Sequence, residues 1–319
     1  MKLIDFLKKF WAEKNTLDRM IWGTLLALLV VVSSFSGYYY WDRYVHLGDQ
    51  SPIELSVKEL EGAVRNDPTD IDARLNLAQQ YYDFGSYQSA INQCEQILEL
   101  YPDTDGAMFI TGMSYYRLQD LDLAVEYLSQ FSKIRKESST AYTDIALETS
   151  LYFLGETLNK LDRPEEAIPE LLFALEIDFT DADAMYQLGL AYARTDQPQL
   201  AVEQFHQAVR FVPDFIEAYQ GMINSYSDMN NAGMVAYSRG MEAYVFGEFE
   251  VSITHLVAAI EDYPEFAPAY VGLGLSYEKL DDLEKAEIYI LKALEIDPDN
   301  FLAQNTLGRI RSLMDNQDS

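Results

Sequence analysis

One spacing recurs along this chain and leaves little choice of architecture: a small residue followed 12, 19 and 24 positions later by two more short side chains and a proline. From Gly274 these offsets reach Ala286, Ala293 and Pro298; from Gly240 they reach Ser252, Ala259 and Pro264. They lead from Gly189 to Ala201, Ala208 and Pro213, and from Ala78 to Ala90, Ile97 and Pro102. Two weaker copies run from Gly155 (Ala167, Ala174, Phe179) and from Gly112 (Ala124, Phe131, Lys136). The anchors advance by 34, 43, 34, 51 and 34 residues, and Gly308 comes after another 34. Units of that length are single supersecondary elements that bury their apolar faces only by stacking on one another. Within a unit, Leu75, Leu77, Ala78 and Tyr81 make an apolar stripe, Gly85 turns the chain, and Ala90, Ile91, Cys94, Ile97 and Leu98 make a second. A small residue on each helix permits close approach, and the proline ends the second helix.

These positions resemble the tetratricopeptide repeat (TPR) family over residues 71 to about 314. The resemblance implies an all-α fold, an α-solenoid of helix-turn-helix repeats whose first helices line a concave face. Ser56, Ala63 and Pro68 match the second half of an earlier, incomplete unit within residues 42–70, and residues 301–314 supply a lone closing helix before a tail at 315–319. Two spacings are irregular. The nine extra residues between 112 and 155 are expected to lengthen the helix that holds Ala141 to Leu158. The 17 extra between 189 and 240 equal one helix, which reverses the up-down roles of every later helix. A joint is therefore expected near Asn230-Asn231-Ala232-Gly233, dividing half-solenoids 71–229 and 230–314.

Ahead of the repeats, residues 20–41 hold 22 residues without a charge. As a helix they reach about 33 Å, against a hydrocarbon core of about 30 Å. Trp22 at one end and Tyr38, Tyr39, Tyr40 and Trp41 at the other suit the headgroup layers. The solenoid is therefore expected to come after one transmembrane helix, a signal-anchor; the alternative is a secretory signal cut after Ser36. Lys2, Lys8, Lys9, Lys14 and Arg19 precede the span, and only Arg43 lies between it and Lys58. That asymmetry places segment 1–19 in the cytoplasm and the repeats on the periplasmic or extracytoplasmic side of a cell (inner) membrane. Leu3, Leu7, Phe10 and Trp11 give the leader the spacing of an amphipathic helix on the inner leaflet, the alternative being a frayed basic tail.

Beyond residue 41 the chain has 18 Lys/Arg against 49 Asp/Glu, a balance of −31. Such a surface repels nucleic acid and favours basic or amphipathic protein partners. The single cysteine, Cys94, precludes an internal disulfide and lies on an apolar helix face. His46, His206 and His255 stand apart, without metal-ligand spacing, and Gly272-Leu273-Gly274 lacks the third glycine and the strand of a dinucleotide fingerprint. No cofactor, metal or catalytic residue is expected, and the chain reads as a non-enzyme. Asp-rich junctions at 67–72, 103–106 and 178–183 read as helix caps rather than calcium loops.

What remains is a binding surface. By the family resemblance, Phe109, Met113 and Tyr116, then Tyr152 with Glu156, then Tyr186 and Leu190, then Tyr237, Met241 and Tyr244 line the first helices. Tyrosine and methionine suit an amphipathic helix or an extended peptide. Family members that clamp a C-terminal carboxylate use Lys, Arg and Asn there; Asn76, Arg117, Lys160 and Arg194 do not reproduce that clamp. The expected function is a membrane-anchored scaffold or adaptor in complex assembly or secretion, the alternative a stoichiometric accessory subunit of a larger membrane complex.

Overall fold

The computed structural model describes residues 15–41 and 52–317 of the 319-residue chain, and every regular element among them is helical. Two compact units result, residues 1–73 and 74–319. The first contains α1 (Thr16–Trp41), α2 (Pro52–Asn66) and the start of α3 (Ile71–Asp83). α1 begins four residues ahead of the expected span, and from Gly23 to Trp41 it is long and apolar enough to cross a membrane. The amphipathic leader helix, the side chain of Trp22 and the juxtamembrane stretch 42–51 lie outside the described residues. After α2, Asp67 accepts from the Thr69 amide and hydroxyl at 3.0 and 2.7 Å, and Asp70 caps α3 through the Ala73 amide at 3.0 Å.

The second unit continues with α4 (Tyr87–Leu100), α5 (Asp105–Leu118), α6 (Leu121–Lys136), α7 (Ile145–Lys160), α8 (Pro164–Ile177), α9 (Ala182–Arg194) and α10 (Pro198–Phe211). α11 (Ile216–Asp228), α12 (Ala232–Val245), α13 (Phe249–Asp262), α14 (Ala267–Lys279), α15 (Leu283–Ile296) and α16 (Phe301–Gln317) complete it. α16 thus runs through most of the expected tail. The repeat spacing becomes contact at a fixed offset. Each anchor glycine lies against the bulky residue 16 positions on: Gly112 on Leu128, Gly155 on Leu171, Gly189 on Phe205, Gly240 on Leu256 and Gly274 on Ile290. A Cβ added at Gly274 would lie 2.5 Å from Cγ1 of Ile290, so only glycine admits the second helix at this distance. Aspartates and asparagines cap helices as the Asp-rich junctions suggest: Asp144 accepts from the amides of Ala146 and Leu147, and Asp181 from those of Asp183 and Ala184.

The nine extra residues do not go into one helix from Ala141. α6 runs on to Lys136, Ala141–Thr143 form a single 3₁₀ turn, and Asp144 starts α7. Asp144 can cap the helix only from an extended backbone, so the helix begins after it. Ala141 is buried with Leu147, Leu151 and Ala174, and Tyr142 stacks on Phe173 at 5.3 Å, which ties the insertion to α8.

The 17-residue irregularity is the single helix α11. Tyr219 donates to the carbonyl of Pro213 at 3.2 Å, just as Tyr270 donates to that of Pro264 at 3.0 Å, so α11 sits on α10 as a first helix sits on the preceding unit. The turn after it confirms the role. In every unit the residue seven after the anchor position has positive φ: Gly85, Gln119, Asp162, Asp196, Gly247 and Asp281. Asn230 does the same after α11, with Asn231 N donating back to the Tyr226 carbonyl at 2.9 Å. α12 therefore succeeds α11 as a second helix and precedes α13 as a first. The core passes through this place, since Met234, Val235, Met241 and Val245 of α12 pack on the cluster formed by Phe205, Tyr219, Met222 and their neighbours.

Candidate peptide-binding face

First helices pack side by side in two rows, α5 with α7, α7 with α9 and α9 with α11, then α12 with α14 and α14 with α16. Between the rows, α11 and α12 pack along their lengths as hairpin partners. The nine residues expected to form one groove are thus shared between two rows. Two of them are not surface residues at all. Met113 is 5% exposed among Leu128, Leu154 and Leu158, and Tyr237 is 8% exposed beside Leu256 and Leu273, with its ring edge on Phe266 at 4.9 Å. Both are core side chains, because the turn of helix that carries them faces the next unit. Met241 and Tyr244 of the second row are half-buried, Met241 against the α13–α14 packing and Tyr244 on Phe249 at 5.8 Å.

The first row keeps Phe109, Tyr116, Tyr152, Tyr186 and Leu190 half-buried and open on one side. Phe109 packs on Phe131 at 5.0 Å and Leu190 on the cluster of Phe205. Tyr116 is held firmly. Its hydroxyl donates to Glu156 at 2.5 Å and accepts from Lys160 at 3.0 Å, while Lys160 also pairs with Glu156 at 3.0 Å and lies 4.6 Å over the ring. Burial and the Glu156 carboxylate raise the Tyr116 hydroxyl's pKa, and Lys160 works against them. Tyr152 meets Phe153 edge-on at 4.9 Å, and Tyr186 reaches Phe215 at 5.2 Å.

Two acids on this row escape a reading of the sequence alone, Asp183 and Glu217. Burial first, then Asp181, Glu156 and Glu217, raises the Asp183 carboxyl above the ordinary aspartate value. Burial, then Glu156 and Asp183, pushes the Tyr152 hydroxyl upward, and burial with Glu217 does the same at Tyr186. A signal exists: both acids stand six residues before their anchor positions, 189 and 223, on the face that also carries the tyrosines three residues before the anchors at 155 and 189. The cations considered for a carboxylate clamp are engaged elsewhere. Arg117 donates to Tyr82 at 3.4 Å, Lys160 serves Tyr116 and Glu156, and Arg194 donates to the Asn159 carbonyl; Asn76 is exposed. The row can therefore offer aromatic area and anionic acceptors, a surface for cationic and apolar side chains.

The tetratricopeptide repeat family matches residues 75–132, 183–214 and 267–300, each of which spans the hairpins described above. Those three stretches of the solenoid are tetratricopeptide repeats. The chain is similar to the DnaJ homolog subfamily C member 3 homolog of Dictyostelium discoideum, 22% identical over 270 residues, 68% of this chain and 54% of the relative. It is also similar to a human protein O-mannosyl-transferase, 24% identical over 271 residues, 81% of this chain and 28% of the relative. The chain thus spans about half the length of the first and less of the second. Among solved structures, the TPR protein YrrB, described as having an unusual peptide-binding site, is 19% identical, with a TM-score of 0.44 over 78% of this chain and 97% of that one. TPR repeats bind other proteins or peptides.

Proposed function

We propose that this chain is a membrane-anchored TPR scaffold whose row α5–α11 takes a basic, amphipathic peptide segment of another protein. α1 anchors it in a cell (inner) membrane, with residues 1–19 in the cytoplasm and the TPR solenoid on the periplasmic or extracytoplasmic side. The observation that carries the binding role is the placement of Tyr116, Tyr152 and Tyr186 beside Glu156, Asp183 and Glu217 on neighbouring first helices, with the row's Lys and Arg already bonded within the protein. Lysine or arginine side chains of a partner would meet carboxylates that now face one another, and its apolar side chains would cover the rings. The anchoring role rests on the length and apolarity of α1 and on five Lys/Arg ahead of it against Arg43 alone in the stretch behind. Complex assembly or secretion is the setting such a tethered scaffold serves.

The test uses the full chain in detergent micelles and a fluorescent amphipathic helix built of leucine and lysine. Its anisotropy titration should give saturable binding that the double variant Asp183→Lys, Glu217→Lys weakens at least about tenfold, with unchanged circular dichroism. Equal affinity in the variant would overturn the charge reading. Protease added to intact cells or spheroplasts should digest the repeats; digestion only in inverted vesicles would overturn the orientation.

A further inference from the structure

The contact between an anchor and the residue 16 positions on is missing at two places, and the two are complementary halves of one hairpin. Gly308 is the anchor of α16, a first helix. It is exposed, and no described residue lies within 4 Å of a Cβ added there, whereas Gly112, Gly155, Gly189, Gly240 and Gly274 are all buried against a second helix. α2 shows the converse. Ser56, Ala63 and Pro68 stand 12, 19 and 24 positions after Tyr44, so Leu60 holds the place of the bulky residue at 16. In every full unit the side chains at 12, 16 and 19 are 2% exposed or less; here Ser56 and Leu60 are half-buried and Ala63 is exposed. The anchor place itself carries a tyrosine, inside the stretch 42–51 that lies outside the described residues. α16 is thus a first helix without a second, and α2 a second helix without a first.

The complete units fix how these halves meet. The residue three after an anchor touches the residue 15 after it: Tyr277 stacks on Tyr289 at 5.4 Å, and Tyr115 on Tyr127 at 5.7 Å. With α16 set on α2, those places hold Arg311 and Glu59, both exposed and opposite in charge. Lys285, 11 after its anchor, lies 5.1 Å over the Tyr277 ring; the same offsets set Leu55, 42% exposed, under the stem of Arg311. Arg311 already bonds Glu287 at 2.7 Å through Nε, but its side chain is 56% exposed and its remaining donors can take Glu59. The cations of α2 stay out of the contact, since Lys58 and Arg65 stand 14 and 21 after the anchor, offsets exposed in every full unit. Arg309 is engaged by Glu278 of α14. We infer that α16 of one copy of this chain packs on α2 of a second copy, the two completing one TPR hairpin with Gly308 against Leu60 and Arg311 on Glu59. Both halves of the fit, in register and in charge, belong to this one sequence, so the occupant of each open face is the other face of a second copy. Such a contact is head to tail, and it repeats from copy to copy until a ring closes or a row forms. It is separate from the row α5–α11.

The test is sedimentation velocity of the full chain in detergent micelles at roughly tens of micromolar, where the unaltered protein should associate reversibly. Gly308→Leu enters space that is open in a single copy, so it should keep the circular dichroism and the urea midpoint while weakening association at least about tenfold. Arg311→Glu and Glu59→Arg should each weaken it alone, because like charges then meet. An equimolar mixture of those two variants should associate again, since each contact between unlike copies restores an opposite pair. Three outcomes would overturn the inference: an unaltered protein that stays monomeric over this range, association that Gly308→Leu leaves unchanged, or charge variants whose mixture stays dissociated.

Discussion

Glu148, in the first turn of α7, lies beside Asp181, the cap of α9, and two neighbouring carboxyl groups ionise together only at a cost. Burial first, then Asp181, pushes the Glu148 pKa from 4.5 up to about 7. Asp178 adds a further anion on the same side, and Thr149 opposes the rise by donating to Glu148 at 3.3 Å. Because the folded protein binds the Glu148 proton more tightly than the unfolded chain, the pair costs nothing below pH 4.5; stability then falls as pH rises toward 7 and stays low above it. The upper limit of that loss is about 3 kcal/mol, and partial access of water to the site reduces it to about 1–2 kcal/mol. Glu148→Gln stays neutral beside Asp181 without needing a proton. Urea unfolding of the full chain in nonionic detergent should therefore show the two proteins alike near pH 4.5 and the variant more stable by about 1–2 kcal/mol at pH 8. His206, whose pKa burial lowers, contributes equally to both proteins. Parallel stability curves for the two proteins would refute the raised Glu148 pKa.

Other consequences are simpler to check. Met113→Glu should unfold its repeat, at a cost of about 3–5 kcal/mol by urea melt, because the carboxylate would enter the cluster of Leu128 and Leu154. Asp144→Ala should cost about 1–2 kcal/mol, since it frees the Ala146 and Leu147 amides and removes a partner of Arg135 at 3.1 Å. Gly274→Val should cost at least about 2 kcal/mol in the same assay, the added methyls colliding with Ile290. Cys94, buried and with its thiol pushed up to about 12, should react with a disulfide reagent only in denaturant; fast reaction in native buffer would show that α4 opens readily.

The spacing of small residues is enough to read the hairpins, their order and the extra single helix, because each offset corresponds to one steric contact: the anchor glycine against the residue 16 positions on. Burial of individual face residues is less legible. Met113 and Tyr116 stand three residues apart on one helix, yet Met113 faces the packed core and Tyr116 the open side. Helical spacing gives the angle between two side chains but not the position of the neighbouring helix that covers one of them. The nine-residue insertion misleads for a related reason: length alone does not say that a capping aspartate will stop the helix short at 144.

The least legible feature is also the one with most consequence. By spacing alone a lone extra helix reverses the roles of every later helix, and the structure shows how one helix absorbs the reversal. α12 meets the turn geometry of a second helix at Asn230 and that of a first helix at Gly247. A helix that answers to two registers cannot bury the full set of large residues of either, so its sequence departs from both, with Ala236, Arg239 and Ala243 where α7 has Leu151, Leu154 and Leu158 and α14 has Tyr270, Leu273 and Tyr277. Without the turn at Asn230, those three residues would read as decay of the repeat. With it, they read as the condition for joining two rows of first helices, and the open space beside Ala236 arises from the same constraint. Replacing Ala236, which is half-buried and lines an open cavity of about 390 Å³, by leucine should therefore fill that space rather than strain the core, and leave the urea midpoint unchanged or raised. A loss of about 2 kcal/mol or more would mean that this position is packed and that no such space exists over α12.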